Sequence, residues 1–226
     1  MNKTTISIPK ILISLIVYFT LPLSAAWLNQ FVDSMTITYT LIFSAAALVL
    51  VSLNWDVFSL HLRRFTGNIK DGLLFTVICF IAIVLLQFAS HFVLHPGPVE
   101  LEREILLHYT FFIPVMVLAY SVCYALSFTL AFKIFVDRIH LQVSESMTIL
   151  ISGFLFGFLC TASLLPATFD LFVRQFGYFF LTSTLASYAY NQTHSIIPMT
   201  LAYSLVLLVD EVGGQAVLGR QDSLPT

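Results

Sequence analysis

The densest set of residues able to bind a metal or move protons lies between two apolar runs, at His91, His95, Glu104 and His108. His91 and His95 stand four apart, as do Glu104 and His108, so each pair can share one face of a helix. Imidazole and carboxylate are ligands that zinc takes in its tetrahedral sites. The plainer reading is a polar interfacial loop, because Pro96 and Pro98 break the first helix at its end. On that reading no metal and no cofactor is expected. Cys160 is a second candidate, as a nucleophile. A thiol attacks as thiolate, which requires a neighbouring base or positive charge. His140 and His194 only flank the apolar runs around Cys160, so a buried, inert thiol is the expectation. Asp170 and Arg174, four apart, read as a surface ion pair of small energetic value.

The elements that would position these groups are membrane helices. The chain has 226 residues, of which 58% are hydrophobic and 10% charged, well outside the composition of a water-soluble domain. Several apolar runs reach or approach the roughly 20 residues that cross a bilayer as helix. Continuous runs exclude a membrane barrel, which would alternate polar and apolar positions. A formal net charge of −2 argues against a nucleic-acid partner. Cys79, Cys123 and Cys160 each fall inside an apolar segment, as free thiols do.

Taken in order, residues 1–53 hold two spans, about Ile11–Leu28 and Met35–Leu53. Pro22 should kink the first, which is read as retained rather than cleaved as a signal peptide. Residues 54–72 form a linker in which Trp55, Phe58, Leu62 and Phe65 recur at helical spacing, with Asp56, Arg63 and Arg64 off that stripe. This is the pattern of an amphipathic helix lying on a membrane, its arginines toward anionic headgroups. Residues 73–209 hold five more spans, near Leu73–Val93, Tyr109–Phe135, Thr148–Leu165, Phe176–Tyr190 and Ile196–Val209, and residues 210–226 form a short polar tail. The expected fold is therefore an all-α bundle of about seven transmembrane helices with one surface helix.

Lysine and arginine set the orientation. With the N-terminus inside, Lys3, Lys10, Arg63, Arg64, Lys70, Lys133 and Arg138 are cytoplasmic, and Arg103, Arg174 and Arg220 are outside. The glycosylation pattern Asn191-Gln192-Thr193 falls on the cytoplasmic side, which speaks against its use. Gly153 and Gly157 form Gly-x-x-x-Gly, a spacing that lets a second helix approach closely, chiefly for packing within the bundle.

Two phrases, Ser152-Gly-Phe-Leu-Phe-Gly-Phe-Leu-Cys160 and Ile196-Ile-Pro-Met-Thr-Leu-Ala-Tyr-Ser-Leu-Val-Leu-Leu208, carry a resemblance. They resemble the end of the CPBP family, the CAAX-protease and bacteriocin-processing (Abi) integral membrane proteins. The resemblance runs from about Arg63 to Leu208. It implies a paired-glutamate motif in the fourth span and histidines in the later ones, which together activate water for peptide hydrolysis. Here the glutamate motif falls near Tyr124 and Ala125, the first histidine position reads Cys160, and the last His and Asn positions read Tyr203 and Leu207. No glutamate occurs between Glu104 and Glu145. Tyrosine titrates near pH 10 and is a poor neutral-pH base.

The resemblance thus implies a scaffold that has lost its catalytic groups. Some members of the family act as membrane partners rather than proteases, in bacteriocin self-immunity or by binding sensor kinases. The expected function is contact with another integral membrane protein in a bacterial cytoplasmic membrane. The competing expectation is an active intramembrane protease with displaced groups, such as Glu104 with His108. A third is a carrier whose path is lined by residues such as Gln87, Ser121 and Tyr124.

Overall fold

A computed structural model describes residues 7–32, 35–93, 112–138, 145–164 and 168–218. Among them every regular element is helical: α1 (Ile8–Phe19), α2 (Leu21–Leu28), α3 (Met35–Leu53), α4 (Trp55–Gly67), α5 (Ile69–Val93), α6 (Phe112–Arg138), α7 (Glu145–Ser163), α8 (Phe169–Thr193) and α9 (Ile197–Leu218). Among the described residues three helices are long and apolar enough to cross a membrane: Ile69–Phe88, Val115–Asp137 and Ser146–Ser163. The number rises to five if the bent pairs α1–α2 and α3–α4 each count as one span. The chain is thus consistent with a multi-pass membrane protein.

Both bends have local causes. Pro22 lacks an N–H to continue the ladder, and α1 and α2 meet at 44° across Thr20. The Thr20 hydroxyl donates to the Ile16 carbonyl at 2.8 Å, occupying an oxygen at the break. The 90° corner between α3 and α4 turns on Asn54, which is buried. Its side-chain amide donates to Leu50 O at 2.9 Å and to Ser14 Oγ at 2.8 Å, tying the corner to α1.

The bundle is apolar outside as well as inside. Leu74, Leu85 and Phe88 on α5 are each more than half exposed, as helices that face lipid require. α6 is the central helix. Its residues from Ser127 to Phe135 are buried in an unbroken run, against α3 on one side and α9 on another. One core cluster spans α1 to α3 and α5 to α9 around Phe128 and Phe156. A smaller one joins Ile11, Leu50, Val57, Leu130, Ile134, Ile196 and Ile197, which puts the start of α1, the end of α3, α4, the end of α6 and the start of α9 at one end of the bundle.

α4 differs in part from the stripe read from its sequence. Val57 and His61 are its buried residues, with Phe58 and Phe65 half-buried beside the smaller core cluster, whereas Trp55 and Leu62 are exposed. The helix docks along one flank and leaves only part of its apolar stripe free.

α7 and α8 form the most extensive helix pairing among the described residues. Gly157 permits it: a Cβ there would stand 2.7 Å from the Phe180 backbone N and 2.8 Å from its Cα. Gly153 faces Thr184 in the same way. Backbone cannot rotate aside, so Gly157→Ala must push the helices apart, at a cost of about 1–3 kcal/mol for overpacking. Thermal unfolding of the purified variant in mild detergent measures this. An unchanged midpoint would show that the helices are not held at this separation.

Candidate functional site

The positions singled out by the family resemblance converge. Tyr124 on α6, Cys160 on α7, and Tyr203 and Leu207 on α9 belong to or pack on the same core cluster, and Cys160, Tyr203 and Leu207 are all buried. The rings of Tyr124 and Tyr203 meet edge to face at 5.8 Å. Phe128 packs edge to face on Tyr203 at 5.2 Å and on Phe156 at 5.6 Å. Two tyrosines complete the set: Tyr178 on α8 donates to the Tyr203 hydroxyl at 3.4 Å, and the Tyr18 hydroxyl on α1 lies 3.9 Å from Cys160 Sγ. Ala125, next to Tyr124, is fully buried.

The chemistry of this set is that of weak proton donors in an apolar surround. Phenols and a thiol can orient one another by hydrogen bonds. Activating one of them as a nucleophile takes a base or a cation within reach. The carboxylates whose side chains the structure describes are Asp56, Asp71 and Asp137, and the imidazoles are His61 and His194. They belong to α4, the start of α5, the end of α6 and the α8–α9 turn, toward the end of the bundle where the smaller core cluster lies.

That end holds a second polar cluster. The α8–α9 turn is made by His194, the one described non-glycine residue with positive φ, at 51°. Its N–H donates to Tyr190 O at 2.7 Å, and its carbonyl is left for α4. Arg64 donates to that carbonyl at 3.1 Å, and His61 Nδ1 lies 3.3 Å from it. Ser195 Oγ donates to His61 O at 2.9 Å and accepts from Ile197 N–H at 3.2 Å, so one hydroxyl caps α9 and fastens α4. The His61 ring stands edge-on to Tyr190 at 5.6 Å, and the Lys133 ammonium sits 4.0 Å over that same tyrosine ring. Lys133 also pairs with Asp137 one turn on.

Burial pushes the His61 imidazole down to about 4, and the positive charges of Lys133 and Arg64 act in the same direction against the bond to His194. The imidazole is therefore neutral near pH 7. Beside it, Thr129, Lys133, Ser187, Tyr190 and Met199 line a cleft of about 10 Å³, the size of one water.

The metal candidates fall elsewhere. His91 is in the last turn of α5, but its side chain, with His95, Glu104 and His108, lies outside the described residues. Among the described residues no group of three or more His, Cys, Asp or Glu could hold a metal ion. The side chain of Asp170 also lies outside them. Gly153 and Gly157 are engaged by α8, within the chain. Sequence reading missed Tyr18, Tyr178 and the role of His61. Lys133 was visible as an ionisable group inside an otherwise apolar run, the signal that marks such positions in membrane helices.

Comparison with protein-family models, with curated proteins and with solved structures finds no match to this chain.

Proposed function

We propose that this chain is a non-proteolytic, CPBP-like protein of a bacterial cytoplasmic membrane that acts by contact with another integral membrane protein. The observation that carries this reading is the packed cluster of Tyr124, Cys160 and Tyr203. These are the positions at which the resemblance implies acid and imidazole groups, and phenols and phenyl rings meet the side chains that stand there. A water-activating site needs an ionisable group at that depth, and a phenol is too weak a base near neutrality. By the same resemblance, the partner is of the kind the family's non-proteolytic members engage, a sensor kinase or a bacteriocin-targeted receptor.

The topology in this reading has seven spans, with α4 on the cytoplasmic surface and the N-terminus inside. It is supported by the cations at the end shared by α1, α4 and α6, where Lys10, Arg63, Arg64, Lys70 and Lys133 stand against Asp56, Asp71 and Asp137.

The test is co-purification of the tagged chain from its native membrane in mild detergent, with partners identified by mass spectrometry, for wild type and for Cys160→Ala and Tyr203→Phe. The expected result is a roughly stoichiometric membrane protein retained by all three. Membrane peptides that accumulate when the gene is deleted, and are cleared by wild type but not by Cys160→Ala at equal protein level, would establish proteolysis and overturn the reading.

A further inference from the structure

We infer that α4 holds an anionic phospholipid, its headgroup at Arg63 and its acyl chains beside Trp55 and Leu62. The inference rests on the membrane reading of the chain, and is independent of whether the chain meets a protein partner. α4 runs at 90° to α3 and so along the end of the bundle rather than through it. At about 3.6 residues per turn its faces separate cleanly. Val57, His61 and half-buried Arg64 share the flank fixed to the bundle, the last two through the His194 carbonyl. Trp55 and Leu62, seven apart, share another flank and are 58% and 42% exposed. An exposed indole and a leucine on an in-plane helix belong at the level where acyl chains begin.

Arg63 lies about a quarter-turn around the helix from Leu62, on the flank it shares with Asp56 two turns away, and it is exposed. From that flank its long side chain can reach the phosphates above acyl chains that meet Trp55 and Leu62. A guanidinium stays charged at every relevant pH and presents paired donors to phosphate oxygens. With Lys133 buried and paired with Asp137, the surrounding end of the bundle is still cationic in excess: Lys10, Arg64 and Lys70 add to Arg63, against Asp56 and Asp71. Charge complementarity therefore selects an anionic over a zwitterionic headgroup. The exposed indole and leucine beside the arginine select a lipid over a free anion.

The experiment uses the full chain in detergent, titrated with phosphatidylglycerol or phosphatidylcholine and read by native mass spectrometry of retained lipid and by thermal unfolding. One cation near an anionic surface contributes about fivefold in affinity. Wild type is expected to retain phosphatidylglycerol in preference to phosphatidylcholine, Arg63→Gln to lose about fivefold of that preference, and Arg63→Lys to keep most of it. Trp55→Ser should weaken retention of both lipids alike. Equal retention of the two lipids by wild type, or an undiminished preference in Arg63→Gln, overturns the inference. Inorganic phosphate that stabilises wild type as well as phosphatidylglycerol does would place a free anion here and overturn the lipid assignment. Arg63 is exposed, so unfolding midpoints of its variants without lipid should match wild type, which separates loss of lipid from loss of fold.

Discussion

Phe156→Ala is expected to be the most damaging single truncation in the chain, at about 3–5 kcal/mol for an aromatic removed from a core. The Phe156 side chain has no exposed surface. Five rings surround it: Phe132 at 5.1 Å, Phe135 at 5.3 Å, Phe128 at 5.6 Å, Phe19 at 5.7 Å and Tyr18 at 5.8 Å. These come from α1 and α6, so the ring is what fastens α7 to the centre of the bundle. In a bilayer the transfer term shrinks, because acyl chains are as apolar as the core. The packing term stays, since no lipid tail reaches a cavity enclosed by five rings. The lower end of the range is therefore the better expectation for unfolding in mixed micelles. Tyr203→Phe makes the contrast: it keeps the ring and loses the hydroxyl's bonds to Tyr178 and Tyr124, for about 1 kcal/mol. A loss below about 1 kcal/mol for Phe156→Ala would mean that the aromatic cluster does not hold α7.

How far sequence alone reaches is clearest at the helix ends. Met35–Leu53 was readable as an apolar run with a polar turn on each side, and α3 has those bounds. The run from Phe176 to Tyr190 marks an apolar span, and Asp170 and Arg174 before it look like a loop. α8 begins earlier, at Phe169, where the Thr168 hydroxyl accepts from Leu171 N–H at 3.2 Å. Charges end a bilayer crossing, but they do not end a helix. α9 extends past Val209 to Leu218 for the same reason, carrying Asp210 and Glu211 in helix.

The site divides along similar lines. No spacing in the sequence marks Tyr124, Cys160 and Tyr203 as neighbours, and only the resemblance set them apart. Tyr18 had no such marker. A single tyrosine in an apolar run has no periodicity, and its approach to Cys160 closes a separation of 142 residues. His61 was hidden by a different ambiguity. Two adjacent flanks of α4 are both apolar enough to be the buried one, and the stripe through Trp55 and Leu62 competes with the stripe through Val57 and His61. The tie is broken by the His194 carbonyl, which the left-handed turn between α8 and α9 aims at α4.

That contact gives the chain an acid sensitivity with a definite sign. In the unfolded chain a histidine titrates near 6.5, whereas His61 in the folded chain is lowered to about 4. Between those values the unfolded state binds the proton and the folded state does not, so stability is fully present above about pH 6.5 and falls as pH drops toward 4. Over the whole window one such group contributes about 3 kcal/mol. The cost is borne locally: a protonated His61 would stand buried between Lys133 and Arg64, with Asp137 as the one described carboxylate paired at that end of α6. Unfolding midpoints in mild detergent at pH 7.5, 6.5, 5.5 and 5 should therefore decline for wild type. His61→Gln loses a ring contact with Tyr190 and starts from a lower midpoint, so the slope and not the starting value is the readout. Its slope through this window should be nearly flat. A parallel decline in His61→Gln would assign the acid sensitivity to other groups, and would show that His61 takes up its proton as readily in the folded chain as in the unfolded one.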